Sequence, residues 1–280
     1  MLMRMPIITL LSDFGLKDPY VAEIKAVILS ICPNAIIVDI SHEVRKFDTR
    51  MGAFILAQAA QYFPEGTIHV AVVDPGVGTE RRPIIVETSR SLYVGPDNGV
   101  LMLSALKEEI HHIYKIANPK YMLKRISRTF HGRDIFSCSA AHLANGVPPH
   151  EFGPEVDNPI MPEYIKPRVE GDEIVGEVIH IDDFGNIITN ISLLDLKKLG
   201  IQEGETLQVR LKGKILSLRL CSAYGEAPQG EPLFIIGSSD FLEVAINQGN
   251  AAKAYDAKTG DLVKVDSFSL AISDKKKKNG

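Results

Sequence analysis

The sequence predicts an α/β domain, with a mostly parallel sheet flanked by helices, over residues 1–160. An all-β domain follows over 173–280, with residues 161–172 as linker. Three observations carry this division. Up to residue 150, apolar strand-like runs alternate with segments whose apolar residues recur at helical spacing, the pattern of βαβ units. From Ile174 onward only short alternating strands recur, separated by turn signals such as Lys212-Gly213-Lys214 and Thr259-Gly260-Asp261, as in a small barrel or sandwich. Between them, "PPHEFGPEVDNPIMPEYIKPRVEGDE" is rich in proline and keeps no period, which reads as an extended surface connection.

The elements follow in order. "PIITLLSD" is a buried strand, and "YVAEIKAVILSIC" has the spacing of a helix. "AIIVDIS" is a second strand. "DTRMGAFILAQAAQYF" is a helix with Asp48 as N-cap. "TIHVAVVD", "PIIVETS" and "SLYVGP" are further strands, and "GVLMLSALKEE" is expected to be helical. "RDIFSCSAAHLANG" is a last helix, with Gly146 placed to stop it. The β half reads as "EIVGEVIHID", "NIITNIS", "TLQVRL", "KILSLRLC", "PLFIIGS", "FLEVAIN" and "DLVKV".

Composition excludes several classes. The 280 residues are 45% hydrophobic and carry a net charge of −4, which points to neither nucleic acid nor an anionic membrane. The basic run Lys275–Lys278 reads as a solvated terminus. No apolar run approaches the ~20 residues of a membrane span, and the start is too short and interrupted for a signal peptide. Cys32, Cys138 and Cys221 are odd in number and widely separated, so they suggest small buried hydrophobes rather than a disulfide or zinc framework. A cytoplasmic location is the expectation.

In a parallel α/β sheet, ligands gather at the carboxyl ends of the strands. The polar residues expected there are Ser12, Asp13 and Asp18 in "SDFGLKD", Ser41 and His42 in "DISHEV", Asp74 in "DPGVG", and Asp97 and Asn98 in "GPDNG". "TFHGRD" adds His131, Arg133 and Asp134 before the last helix. "DPGVGTERRP" is not a dinucleotide loop, because no third glycine follows at the required spacing and no helix opens. There is no Walker A motif, no HExxH or HxH among the eight histidines, and no GxSxG elbow.

Taken together, "LLSDFGLKDPYVAEIKAVI", "VVDPGVGTERRPI", "GPDNGVL", "FHGRDIFSCSAAHLA" and "IDDFGNIITNI" resemble the S-adenosyl-L-methionine hydroxide adenosyltransferases, relatives of the fluorinase and chlorinase enzymes. The five blocks stand in the family's order and span about Ile7 to Val265. The resemblance implies a seven-stranded N-terminal domain, a C-terminal β-barrel, and a homotrimer whose active sites lie at subunit interfaces. It implies hydrolysis of S-adenosylmethionine to adenosine and L-methionine without metal or other cofactor.

Carried over residue by residue, the resemblance makes Asp74, Arg81 and His131 the set around the attacking water, with Arg82 leaving open which guanidinium faces inward. Asp13 matches the carboxylate that holds the ribose diol, and Asp18 and Asn98 are expected in the same pocket. Asp182 matches the group binding the methionine amine, Phe184 the purine stack and Asn186 its hydrogen-bonding partner. "GSSDFLEVAIN" matches the methionine-carboxylate and adenine loop, bringing in Ser238, Ser239, Glu243 and Asn247. The halogenases have a Ser–Arg pair where Ser238 and Ser239 stand. They also have uncharged residues where Asp74 and its partners stand, so the charged set here favours water over halide.

The chemistry suits these residue types. The thioether leaves neutral, so no acid is needed at sulfur. The nucleophile is the difficulty, and an imidazole oriented near Asp74 is expected to accept the water's proton. The competing readings are a halide-using transferase, a non-catalytic adenosine-binding protein and a metal-dependent hydrolase.

Overall fold

A computed structural model of the chain describes residues 5–162, 166–171 and 173–267. The basic run Lys275–Lys278 lies outside the described residues. The chain divides into two compact units, Met1–Glu163 and Tyr164–Gly280.

In the first unit, strands β1 (Ile7–Ser12), β2 (Ile36–Ser41), β3 (Ile68–Val72), β4 (Pro83–Thr88), β5 (Leu92–Pro96) and β6 (Ile110–Lys115) form one sheet in the order β2-β1-β3-β5-β4-β6. β2, β1, β3 and β5 run parallel, whereas β4 runs antiparallel to both its neighbours. Helix α1 (Tyr20–Ile31) and α4 (Cys138–Ala144) contribute to the apolar cluster on one face, with Ile8, Leu10, Val70 and Val72. Helix α2 (Thr49–Ala59) and the short α3 (Met102–Ala105) contribute to the other, with Leu11, Ala71, Val73 and Tyr93. Cover on both faces is why β3 is buried at every position and reads as a continuous apolar run.

Local chemistry sets the element ends. Asp48 caps α2 by accepting the Met51 N–H, 2.9 Å. Gly146, at φ 86°, follows the end of α4 in the left-handed conformation. Two expectations need correction. The segment expected to be helical after Gly99 gives only α3, and the chain then enters β6, which the sequence reading missed. Glu108 helps turn it there by accepting from the Tyr93 hydroxyl at 3.0 Å, and β-forming Ile110, Ile113 and Tyr114 follow. The described residues hold six strands in this sheet, not the seven implied by resemblance.

The second unit contains β7 (Arg168–Glu170), β8 (Glu173–Ile181), β9 (Ile187–Ser192), β10 (Thr206–Leu211), β11 (Lys214–Cys221), β12 (Pro232–Ile236), β13 (Phe241–Ile246) and β14 (Leu262–Ser267). β7 falls inside the stretch expected as linker. The order β14-β10-β11-β12-β13-β9-β8 is closed by β14 pairing with β8, which makes a seven-stranded barrel with β7 on the edge of β8. Alternate residues such as Leu207, Val209 and Leu211 point into its core, as closure requires. Lys212 and Gly213, at φ 51° and 76°, make the two-residue β10–β11 turn, whose positive φ angles match strand twist. Helices α5 (Leu193–Lys198) and α6 (Ala251–Tyr255) were not expected, although α5 carries a capping box, Ser192 with Asp195.

One buried group makes the α/β unit acid-sensitive. His69 on β3 is 0% exposed, its Nδ1 lies 2.7 Å from the Thr9 hydroxyl, and its ring stacks on Tyr93. Burial pushes its imidazole down to about 4. The unfolded chain takes up that proton near pH 6.5. Stability therefore falls as pH drops from the unfolded value through the folded one, by up to roughly 3 kcal/mol. Urea unfolding between neutral pH and pH 4 is expected to show this loss, and His69→Gln is expected to reduce the pH slope. An unchanged slope in the variant would place the acid sensitivity elsewhere.

Candidate active site

β1, β3 and β5 lie side by side and parallel, so the residues after them share one sheet edge. Asp13 follows β1, Asp74 follows β3, and Asp97 and Asn98 follow β5. The reversed direction of β4 brings its start to that edge, where Pro83 pairs with Pro96. Arg81 and Arg82 precede Pro83 and are delivered there too. The loop from Asp74 to Arg81 is tight: Gly78 has φ 78°, and a Cβ on it would lie 2.2 Å from the Arg128 carbonyl oxygen.

Arg81 joins the first two members of the expected set to the third. Its Nε donates to Asp74 Oδ1 and Oδ2 at 3.1 and 2.9 Å, and its Nη2 donates to Oδ2 at 2.5 Å. The same Nη2 lies 2.7 Å from His131 Nδ1. A guanidinium has no lone pair to offer, so Nδ1 accepts, and the proton of the neutral imidazole sits on Nε2. The arginine and aspartate side chains are 9% and 5% exposed, which shields the pair from water's competition. The guanidinium carbon also lies 5.2 Å from the centre of the Phe136 ring. Burial first, and Arg81 second, push the His131 imidazole below its ordinary value.

His131 stands at the head of a single π-helical turn, Gly132–Ser137, that runs into α4. Such turns recur at functional sites because they re-aim side chains. The turn is clamped from behind. Asp134, 0% exposed, accepts the Ser127 N–H at 2.6 Å and pairs with Arg133 at 2.7 Å, and Arg133 also reaches Glu23 at 2.7 Å. Arg133 is therefore outside the site. Arg82 also faces elsewhere, donating from Nε to Asp97 at 2.7 Å and bonding the Asn158 carbonyl. Of the two arginines, Arg81 is the one that reaches Asp74 and His131.

A cavity of ≈ 240 Å³ opens in front of the set, lined in part by Asp13, Asp18, Asp74 and His131. Asp13 Oδ2 accepts the Phe47 N–H at 2.8 Å, and Phe47 holds φ 67°, a costly backbone for a bulky residue. Sequence reasoning named none of Lys46, Phe47 and Phe130 in this lining; Phe130 falls within "FHGRD", whereas no motif covered Lys46 and Phe47. Asn98 is not brought to the cavity. Its amide donates to the Val73 carbonyl at 2.8 Å and accepts the Val100 N–H, so it ties strand ends together.

The second unit has its own cavity of ≈ 780 Å³, lined by Asp182, Phe184, Asn186, Tyr224 and neighbours up to Asn250. Asp182 Oδ1 accepts the Asn186 N–H at 2.8 Å, and its Oδ2 accepts the Asn186 side-chain amide at 2.9 Å. The turn between them depends on Gly185, at φ 87°, where a Cβ would lie 2.1 Å from the Asn250 side chain. Phe184, 80% exposed, presents its ring at the tip. Glu243 is 5% exposed and lies beneath Tyr224, outside the lining itself. Ser238, Ser239 and Asn247 do not line the cavity, and the Asn247 amide donates to the Ala227 carbonyl at 2.8 Å. Among the described residues, no group of three or more His, Cys, Asp or Glu could hold a metal ion, and no helix is long and apolar enough to cross a membrane.

The SAM hydroxide adenosyltransferase N-terminal domain model matches residues 8–153, and the corresponding C-terminal domain model matches residues 176–264. The chain is 40% identical over 257 residues to an (R)-S-adenosyl-L-methionine hydrolase of Thermus thermophilus, covering 89% of this chain and 95% of that one. It is 30% identical to a fluorinase of Actinoplanes sp., covering 93% and 97%. A crystal structure of an uncharacterized conserved protein from Thermotoga maritima superposes with a TM-score of 0.89 at 39% identity, covering 92% and 99%.

The electrostatics of the set can be tested directly. The His131 imidazole is expected to titrate below about 6.5 in the folded protein. Arg81→Met removes a neighbouring cation and is expected to move that titration upward. Histidine NMR titration of both proteins checks this, and a downward or null change in the variant would contradict the geometry.

Proposed function

The chain belongs to the SAM hydroxide adenosyltransferase family, and from that premise we propose that Asp74, Arg81 and His131 prime a water molecule to displace methionine from C5′ of the substrate's ribose. The protein hydrolyses S-adenosyl-L-methionine to adenosine and L-methionine. The names of its relatives extend the reading to the (R) configuration at sulfur. The single observation that carries the assignment of the set is the Arg81 guanidinium shared between Asp74 and His131.

That sharing redistributes the expected roles. With His131 Nδ1 engaged by Arg81, the imidazole has no free lone pair for the water's proton. Its Nε2–H, which the Ser127 backbone carbonyl also draws on, is the proposed donor that orients the water. The acceptor is the Asp74 carboxylate, which lines the cavity and retains one acceptor site, on Oδ1, beyond those used by Arg81. A carboxylate is base enough here. As the C–O bond forms, the attacking oxygen becomes a positively charged, strongly acidic centre, and its proton passes to Asp74 without a strong base. The C5′–S bond breaks as the new bond forms, and sulfur keeps the electron pair as a neutral thioether. Fixed positioning of water, carbon and sulfur in line supplies the rest of the acceleration.

Asp13 is the proposed acceptor for the ribose diol, with Asp18 beside it. Asp182, Phe184 and Asn186 are the proposed amine, purine-face and purine-edge contacts. Ser238, Ser239 and Asn247 retain only the support of the family resemblance. The halide alternative is opposed by Asp74, which places a carboxylate in the cavity and would repel an attacking anion. A homotrimer with sites shared between neighbouring copies, and independence of cofactors, are carried over from the family. The three free, buried cysteines support a reducing compartment such as the cytoplasm.

Incubation with S-adenosylmethionine in ¹⁸O-water is expected to place the label in the adenosine 5′-hydroxyl, unaffected by EDTA and without a chlorinated nucleoside in chloride. Asp74→Asn is expected to lower kcat by roughly 10²- to 10⁴-fold with the fold intact by circular dichroism. A folded Asp74→Asn protein working at full rate would remove Asp74 from the mechanism.

A further inference from the structure

Tyr224 lines the second-unit cavity beside Asp182, and no motif in the sequence pointed to it. Its hydroxyl donates to Glu243 Oε2 at 3.1 Å. Glu243 is 5% exposed on β13 and is pressed against Gly237, where a Cβ would lie 1.7 Å from Oε1. Burial pushes the Glu243 carboxyl up and the hydrogen bond from Tyr224 opposes that rise, so the contact favours an ionised carboxylate with the phenol hydrogen turned to it. Once that hydrogen is committed to Glu243, the phenol oxygen can only accept. The neighbouring Asp182 carboxylate is acceptor-only as well, held from behind by Asn186. Phe184, Asn186, Ile246, Gln248, Gly249 and Asn250 complete the lining, so it holds no cation. Burial, then Glu243 and Asp182, push the Tyr224 phenol up to about 12, which keeps its donated proton in place at neutral pH.

We infer that Tyr224 is a second binding residue for the ammonium group of the substrate and of its L-methionine product, and that Glu243 is its positioning residue. The inference rests on the reading of Asp182 as the amine contact. An ammonium group brings three donors, so one carboxylate leaves donors to satisfy, and an acceptor-only phenol supplies a partner. The arrangement selects against the same ligand without its amine. A carboxylate aimed at this position would meet two acceptors.

The test compares L-methionine with 3-(methylsulfanyl)propanoate, which lacks the amine, by calorimetry on the full chain. The wild type is expected to prefer L-methionine. Tyr224→Phe is expected to weaken L-methionine about tenfold, as for loss of a hydrogen bond to a charged group, while adenosine binding is retained. In turnover it is expected to raise KM with kcat little changed, the mark of uniform binding. Glu243→Gln lets an amide donate to the phenol oxygen and is expected to give the same selective loss. Tyr224→Phe combined with Glu243→Gln is expected to lose no more than either alone. If Tyr224→Phe fails to fold, Glu243→Gln reads the same discrimination with the ring kept. Loss of adenosine rather than methionine, equal loss of both methionine-like ligands, or additive losses would overturn the inference. These binding readouts do not depend on turnover. A protein that discriminates the amine but does not hydrolyse S-adenosylmethionine would overturn only the proposed reaction.

Discussion

The first unit's site depends on one guanidinium that serves two acceptors. Arg81 holds a carboxylate with one edge and an imidazole nitrogen with the remaining N–H of the same Nη2. Lysine could not reproduce this, because its point charge lacks the planar fork. The shared contact fixes three things together: where the Asp74 oxygens lie, which nitrogen of His131 carries the proton, and that the imidazole stays uncharged beside a cation. The surrounding fold works to maintain it. The antiparallel β4 returns Arg81 to the edge from which Asp74 departs, Gly78 allows the intervening loop to pack closely, and the Asp134–Arg133–Glu23 clamp holds the turn that carries His131.

The sequence revealed the site's chemistry more clearly than its hydrogen-bond direction. Asp74 and Arg81 stand out because a buried strand ends on a carboxylate and a cation follows in a glycine-rich turn. Their pairing is local, and local patterns are legible. His131 lies 50 residues beyond Arg81, and only resemblance joined it to the pair. That the guanidinium would stand between aspartate and histidine is a matter of side-chain packing against Phe136, which no spacing encodes. Asn98 shows the opposite error. An Asn after a strand looks like a ligand contact, yet both ends of its amide are taken by backbone, the ordinary use of Asn at turns.

The same distinction explains the elements that were missed. Long parallel strands and helices with a clear apolar period were visible. β6 was hidden because helix-forming residues precede it, and its placement rests on antiparallel pairing with the distant β4. α5 and α6 are too short to show a period. Tyr224 lies on a single turn of 3₁₀ helix between strands, and the role inferred for it draws on the buried carboxyl of Glu243 behind it.

Charge balance ties the lowered His131 titration to the substrate. The cavity presents Asp13, Asp18 and Asp74, against Lys46 in the lining and Arg81 behind Asp74. A neutral His131 therefore leaves this group of charges net negative, which favours a sulfonium. Protonating the imidazole would place a donor against the Arg81 guanidinium and a new positive charge beside the substrate's own, opposing both the set and its ligand at once. Burial and Arg81 act in the direction that avoids this by making the charged imidazole costly. The arginine thus contributes beyond its contact with Asp74. It favours an uncharged histidine, so the group proposed to orient the water adds no positive charge beside the sulfonium.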